Sequence, residues 1–220
     1  MAGVLTFPAV VKLFVDSADP AEIGACVAAE RTSGVTTSGA ALAAAARQAG
    51  REPRELLGAI CAVANGPVSV EVAAGDRDGM LREARDWAAV AAGVVVKLPA
   101  TDAGLEVVRA CAAERIRTGV APCATPEQAL LAARAGAAYV SAPVGRVGSV
   151  DGNDVIRKLV ALLKTYRAAA EVVAIGIRLP TDVIDAALAG AHAAAAPPAV
   201  LRDFDAESTR QADQGTPGRG

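Results

Sequence analysis

The chain has 220 residues, of which 53% are hydrophobic and 3% aromatic, so its core must be built from Ala, Val, Leu and Ile. The formal net charge of −2 argues against nucleic acid or an anionic membrane as a partner. With no signal peptide pattern and no apolar segment of membrane-spanning length, we expect a cytoplasmic protein without a membrane partner.

Short apolar runs alternate with longer amphipathic stretches along the whole chain. The runs predict strands over Val10–Asp16, Gly34–Ser38, Val68–Val72, Gly93–Leu98, Arg117–Pro122, Tyr139–Val144 and Val172–Ile177. An eighth strand over His192–Ala196 is weaker, because alanine has little β preference. The stretches between predict helices over Pro20–Glu30, Ala40–Ala46, Arg54–Val63, Arg77–Ala91, Asp102–Glu114, Pro126–Ala135, Asn153–Arg167 and Thr181–Leu188.

Several of these helices carry recognisable start and stop signals. Asp19-Pro20 and Thr125-Pro126 each place a capping residue before a proline in the first helical turn. Gly136 and Gly190 follow the last residues of two helical patterns, where a glycine commonly ends a helix.

Near-continuous apolar strands that alternate with helices indicate parallel strands covered by helices. Eight such units favour a single-domain (β/α)₈ barrel over an open doubly wound sheet. The glycine-rich dinucleotide motif is also missing after the first strand, where Asp16-Ser17-Ala18-Asp19 stands. We expect an N-terminal extension over 1–9, the barrel over 10–204 and a polar, disordered tail over 205–220.

The strand at Gly93–Leu98 contains Lys97 within an otherwise apolar run that ends at Pro99. Only four of the 22 basic residues are lysines, and burying an ammonium group is costly. Apolar surroundings lower the pKa of a lysine, so that its neutral amine can attack a carbonyl carbon. In the alternative interpretation, the stem of Lys97 packs in the core while its amine reaches water.

Other ionisable side chains are predicted at the same rim of the barrel, namely Asp16, Glu71, Arg146 and Arg178. Next to an imine on Lys97, Asp16 could accept a hydroxyl proton as a carbon–carbon bond breaks, and Glu71 could move protons through a water. The two arginines suit a phosphate. Alternatively, these groups form a ring of structural salt bridges.

The cysteines and the single histidine carry weaker signals. Cys26, Cys61, Cys111 and Cys123 show no metal-binding or disulfide spacing, so we expect reduced, apolar core residues. A reactive thiol at Cys123 stays open, since it lies near a strand end. His192 precedes the weakest strand and is expected to be structural.

These motifs resemble the transaldolase family, in particular its branch of small transaldolases and fructose-6-phosphate aldolases. The resemblance extends from about Val10 to Phe204. The matching stretches are Lys12–Asp19, Gly34–Thr37, Val68–Val72, Val95–Pro99, Gln128–Ala137, Gly145-Arg146 and Ile177–Pro180.

The resemblance implies a (β/α)₈ barrel with a Schiff-base lysine at Lys97. Family members move a dihydroxyacetone unit from a ketose phosphate to an aldose phosphate, without metal or nucleotide cofactor. Such enzymes serve carbohydrate metabolism, including the pentose phosphate pathway. By position, Asp16 would be the acid/base of carbon–carbon cleavage and Glu71 the proton shuttle. Glu71 also favours transaldolase, because the fructose-6-phosphate aldolases carry Gln there.

The resemblance also assigns residues to the binding of phosphorylated sugars. Arg146 and Arg178 would hold the phosphate, and Ser141, Thr37 and Ser38 would contact the substrate. The glycine-rich segment from 145 to 152 could close on a phosphate or be a plain connector. A homo-oligomer is a family-based expectation.

The chain departs from the family pattern at several pocket positions. Ser38–Ala40 replaces Asn-Pro-Ser, Gly119 and Ala121 replace Asn and Thr, Gly176 replaces Ser, and Pro143 replaces an aromatic residue. Two explanations fit: an enlarged pocket for a bulkier or less hydroxylated substrate, or an enzyme losing its activity. The alternatives to a transaldolase are therefore a specialised biosynthetic aldolase and a degenerate barrel that still binds sugar phosphates.

Overall fold

The computed structural model describes residues 11–147 and 150–203, apart from the side chains of 146, 147 and 150. Within these ranges the barrel strands are β1 Lys12–Asp16, β2 Gly34–Thr36, β3 Val68–Glu71, β4 Val94–Leu98, β5 Thr118–Val120, β6 Tyr139–Pro143, β9 Glu171–Ile175 and β10 Ala193–Ala196. A short hairpin is formed by β7 Arg146–Val147 and β8 Val150–Asp151. The helices are α1 Pro20–Ala28, α2 Gly39–Ala49, α3 Pro53–Val63, α4 Arg77–Ala88, α5 Asp102–Ala113, α6 Pro126–Ala135, α7 Gly152–Thr165 and α8 Pro180–Leu188.

The strands close into a barrel in the order β1-β10-β9-β6-β5-β4-β3-β2. Every neighbouring pair is parallel. Closure depends on β10, which pairs with β1 from Lys12 opposite Ala193 to Val15 opposite Ala196. The predicted (β/α)₈ barrel is confirmed, and the weak eighth strand is the one that completes it.

Two apolar layers lie on the two faces of the same strands, because successive side chains of a strand point to opposite sides. The interior layer consists of Phe14, Val95, Tyr139, Val173, Ala193 and Ala195. The larger outer layer lies between strands and helices and includes Val15, Ile23, Leu57, Met80, Val96 and Leu163. Side chains two positions from an interior residue, such as Asp16 and Lys97, therefore face the barrel axis.

The predicted helix signals act as expected. The Asp19 carboxylate accepts a hydrogen bond from the backbone N–H of Ala21 at 2.8 Å, which caps α1. The Thr125 hydroxyl accepts one from Gln128 at 3.4 Å at the start of α6. Gly136 ends α6 with φ of 103°, a left-handed conformation that favours glycine.

Some sequence predictions differ from the structure, and others fall outside the described residues. The strand predicted over Arg117–Pro122 is shorter, and the segment from 145 to 152 contains the β7–β8 hairpin, with Arg146 opposite Asp151. The predicted extension over 1–9 and the tail over 205–220 lie outside the described residues. In the described part of the chain, no helix combines the length and apolar character of a membrane span.

Candidate active site

Lys97 lies near the end of β4 and faces the barrel axis. Its Nζ donates a hydrogen bond to the Thr36 hydroxyl on β2 at 3.1 Å. Burial lowers the pKa of Lys97, while the negative charges of Glu71 and Asp16 act in the opposite direction with a smaller effect. A lowered pKa raises the fraction of neutral amine, which is the nucleophilic form.

The two carboxylates come from strands on the same side of the barrel. Glu71 is the register partner of Lys97 on β3, and Asp16 on β1 is the partner of Thr36. Asp16 keeps contact with solvent at the barrel mouth, yet partial burial raises the pKa of its carboxyl, and Lys97 offsets part of this rise. The structure thus brings an amine and two carboxylates into electrostatic contact.

A small cavity of about 50 Å³, partly open to solvent, lies beside Lys97 inside the barrel. It is lined by Phe14, Thr36, Ser69, Lys97, Gly119, Ala121, Tyr139, Ser141, Val173 and Ile175. The lining divides by strand. Thr36, Ser69 and Lys97 on β2 to β4 contribute two hydroxyls and an amine. On the other side, β6 contributes the hydroxyls of Tyr139 and Ser141, whereas Gly119, Ala121, Val173 and Ile175 contribute no polar side-chain group.

The floor of the cavity is formed by two aromatic side chains in contact. The rings of Phe14 and Tyr139 meet edge to face, with centroids 6.0 Å apart and an interplanar angle of 81°. Arg117, the residue before β5, donates to the Tyr139 hydroxyl at 3.1 Å. Its guanidinium carbon also lies 5.6 Å from the centre of the Tyr139 ring. These contacts hold the floor in one position.

The predicted substrate-binding residues are placed in different surroundings. Ser141 is only 5% exposed and lines the cavity. Thr37 is fully buried, and its hydroxyl donates to the Ser38 carbonyl oxygen at 3.4 Å. The Ser38 hydroxyl accepts from the backbone N–H of Ala41 at 3.0 Å and so caps α2. The cavity lining thus includes Thr36 where the prediction named Thr37.

The two predicted phosphate-binding arginines lie beyond the barrel strands. Arg178 is exposed after β9, and its backbone N–H donates to the Asp182 carboxylate at 2.8 Å. This contact fixes the start of α8 and the backbone of Arg178 together. The backbone of Arg146 lies in β7, but its side chain is outside the described part of the structure.

Sequence reasoning missed Thr36, Ser69 and the aromatic floor. The strand alternation was the available signal, since Ser69 lies two residues before Glu71 and Phe14 lies two residues before Asp16. Residues at such spacing share the interior face of the barrel with the ionisable group.

The cysteines are all free and do not form a cluster with one another. Burial raises the pKa of the Cys123 thiol to about 12, and its Sγ donates to the Val120 carbonyl oxygen at 3.6 Å. That thiol is therefore protonated at neutral pH and unreactive. His192 Nδ1 accepts from the backbone N–H of Val172 at 3.0 Å, at the end of the barrel opposite Lys97. Among the described residues, no group of His, Cys, Asp or Glu side chains could hold a metal ion.

Fold and site together define a (β/α)₈ barrel protein with a lysine-centred polar site at the carboxyl ends of its strands, the end that carries active sites in this fold. The sequence model of the family described as Transaldolase/Fructose-6-phosphate aldolase matches residues 13–217. The chain belongs to this family.

Individual relatives agree with this assignment. The chain is 44% identical over 197 residues to a "Probable transaldolase" of Rhodospirillum centenum, covering 88% of this chain and 84% of that protein. It is 41% identical over 196 residues to a "Probable transaldolase" of Sorangium cellulosum, covering 88% and 89% of the two chains. A crystal structure of a "putative fructose-1,6-biphosphate aldolase" from Coccidioides immitis has the same fold. It superposes with a TM-score of 0.58 at 16% identity, covering 95% of this chain and 81% of that one.

Proposed function

We propose that this protein is an imine-forming transaldolase, which moves a ketone unit from a ketose phosphate to an aldose phosphate. In its family-typical form that unit is dihydroxyacetone. The observation that carries the proposal is the Lys97 amine inside the barrel mouth, with a pKa lowered by burial and two carboxylates within electrostatic reach. The cytoplasmic location expected from the sequence stays a prediction.

The reaction begins when the neutral Lys97 amine adds to the ketone carbon of the donor and water leaves. The protonated imine then draws electrons from the adjacent carbon–carbon bond. The Thr36 hydroxyl, 3.1 Å from Nζ, supports this step because it holds the amine in one position before attack.

The two carboxylates are assigned different proton transfers. Asp16 removes the hydroxyl proton as the carbon–carbon bond breaks, and its raised pKa suits a group that must both take and return a proton. Glu71, the strand neighbour of Lys97, shuttles protons during imine formation. Arg178 binds the substrate phosphate together with Arg146, and Ser141 contacts the donor from the cavity wall.

Donor-dependent inactivation tests the proposal. We expect sodium borohydride to abolish transfer activity only when fructose 6-phosphate or dihydroxyacetone is present, because hydride reduces the imine to a stable secondary amine. Lys97→Met should have no activity and form no adduct. Lys158→Met, an exposed position on α7, is the matched control and should behave like the wild type. If Lys97→Met were active and borohydride abolished that activity only with donor present, another residue would be the nucleophile and the assignment would be wrong.

A second candidate, a specialised aldolase of the same family, is favoured by one observation. The cavity wall on β5, β6 and β9 carries few polar groups, although a dihydroxyacetone unit has hydroxyls on both sides of its carbonyl. Comparison of donors separates this candidate from an ordinary transaldolase.

A further inference from the structure

We infer that the donor site prefers an alkyl hydroxymethyl ketone, with an unhydroxylated arm longer than methyl, to dihydroxyacetone. This inference rests on the proposed function, because it concerns the ketone that Lys97 captures. The basis is the division of the cavity into a polar and an apolar half.

The polar half of the cavity can form hydrogen bonds with one hydroxymethyl arm of a ketone bound at Lys97. Thr36 and Ser69 place two buried hydroxyls on β2 and β3, exposed by only 8% each. Asp16 and Glu71 carry two carboxylates at the ends of β1 and β3, although neither residue lines the cavity itself. The hydroxyl of an arm on this side therefore has several partners.

The opposite half of the cavity has few hydrogen-bonding groups for the second arm of the ketone. Gly119 on β5, Ala121 just after it, and Val173 and Ile175 on β9 line this half without a polar side-chain group. The hydroxyls here are those of Ser141 and Tyr139 on β6, and the Tyr139 hydroxyl already accepts a hydrogen bond from Arg117. A hydroxyl forced into such surroundings without a full set of partners loses binding by about tenfold or more. An alkyl arm there is favoured, because it removes apolar surface from water.

The absence of a side chain at Gly119 leaves room for one further carbon on this half of the cavity. A methyl group added at Gly119 would stand 3.5 Å from the Tyr139 Cβ and 3.8 Å from the Lys97 Cγ, which is ordinary contact without overlap. That volume is empty in the structure and lies next to the stem of the reacting lysine. The floor beneath it is fixed, since Arg117 and Phe14 hold the Tyr139 ring.

The covalent step is the same for every donor. The Lys97 nitrogen forms a bond to the ketone carbon, the carbonyl oxygen leaves as water, and a carbon–nitrogen double bond results. Cyanoborohydride then delivers hydride to that carbon and the nitrogen takes a proton from solvent. Each donor leaves an adduct of its own mass, so donors can compete in one tube.

The test is a competition between 1-hydroxybutan-2-one and dihydroxyacetone at equal concentration. The full-length protein is trapped with cyanoborohydride, and the two adducts on the Lys97 peptide are quantified by mass spectrometry. The same mixture is reacted with N-acetyl-lysine, which gives the intrinsic preference of a free amine. We expect the adduct ratio at Lys97 to favour the butanone by about tenfold over this reference.

Two variants test the apolar half of the cavity, and a third is a control at a distant position. Gly119→Ala fills the empty volume and should reduce the butanone preference several-fold, while Ala121→Thr adds a hydroxyl and should shift the ratio towards dihydroxyacetone. Gly24→Ala is the matched control, because α1 offers open space around that position and the cavity is distant. Its ratio should equal that of the wild type.

The outcomes separate the two proposals. Adducts at Lys97 with a ratio equal to the reference, or favouring dihydroxyacetone, would overturn the donor preference and leave the imine mechanism intact. No adduct at Lys97 with any of these ketones would overturn both. An adduct ratio unchanged by Gly119→Ala and Ala121→Thr alike would assign the preference to another part of the molecule and refute the role of this wall.

Discussion

The pKa of Lys97 results from two opposing influences, burial that lowers it and the charges of Glu71 and Asp16 that raise it. Imine formation needs the neutral amine, so the rate of adduct formation should rise with pH around a midpoint below that of an ordinary lysine. Replacing Glu71 with Gln removes one raising influence, so the midpoint should move to still lower pH. The measurement is the initial rate of cyanoborohydride trapping as a function of pH.

The plateau and the midpoint of that profile report different roles. If Glu71 shuttles protons, Glu71→Gln also lowers the plateau rate, typically by about 10²–10⁴-fold. Glu127→Gln on the exposed start of α6 is the control and should change neither. A midpoint that moves to higher pH in Glu71→Gln would contradict the electrostatic assignment.

Burying the Lys97 amine should cost the protein stability. Lys97→Met removes the buried charge and keeps the apolar stem, so we expect a gain of about 1 kcal/mol at neutral pH. This corresponds to a rise in Tm of about 2–4 °C for a chain of this size.

The pKa of Lys97 is lower in the folded state, so the wild type gains stability as pH rises through the window between the folded and unfolded pKa values. The advantage of the variant should therefore shrink at high pH, as calorimetry at several pH values would show. A lower Tm for Lys97→Met than for Lys158→Met would contradict this prediction.

At the residue scale, the ionisable part of the site could be predicted from the sequence. Lys97, Asp16 and Glu71 are charged side chains at or near the ends of apolar strands. Because burying a charge is costly, a charged residue in such a strand indicates a functional role. Thr36 was missed in favour of Thr37 because β2 is only three residues long and buried on both faces, so its alternation cannot be read from hydrophobicity.

At the scale of elements, the packing of α5 against the end of β4 supports the position of Lys97. A side chain at Gly104 in α5 would overlap with the Pro99 carbonyl oxygen, two residues after Lys97. Gly104→Ala should therefore destabilise the fold by about 1–3 kcal/mol, as measured by urea unfolding. Gly24→Ala in α1 meets open space and should instead stabilise by about 0.5–1 kcal/mol. Equal free energies of unfolding for the two variants would contradict the close approach.

The order of helices and strands could be predicted better than their ends. Capping residues and prolines marked the starts of α1 and α6, where Asp19 and Thr125 bond the first turn as expected. The β7–β8 hairpin was not predicted, because a two-residue strand between glycines has no hydrophobic period. β10 was a weak prediction, since Ala193–Ala196 takes its strand conformation from pairing with β1 and β9 rather than from side-chain preference.

At the scale of the whole molecule, the two apolar layers share one set of strands and should unfold together. Phe14 is 2% exposed in the inner layer, whereas Trp87, the only tryptophan of the chain, packs against the outer layer. Phe14→Ala should lower the free energy of unfolding by about 3 kcal/mol. Urea midpoints from Trp87 fluorescence and far-UV circular dichroism should shift equally.

Leu188→Ala, at a position 78% exposed, is the control and should change the free energy of unfolding by no more than about 0.5 kcal/mol with either probe. Two separate midpoints in Phe14→Ala would refute this coupling.

The division of the cavity into two halves could not be read from the sequence in advance. It depends on which strands become neighbours on closure and on the register that places Gly119 beside Lys97. The departures at Gly119 and Ala121 were visible as small residues, but their place in one cavity lining with Val173 and Ile175 is a property of the closed barrel.

The identity of the lysine that captures the donor is tested most directly by mapping the reduced adduct. The protein is incubated with fructose 6-phosphate or dihydroxyacetone, reduced with borohydride, digested and sequenced by mass spectrometry. We expect a single donor-dependent modification, on the peptide that contains Lys97. Modification of Lys12, Lys158 or Lys164 with Lys97 unmodified, or no adduct with any ketone donor, would contradict it.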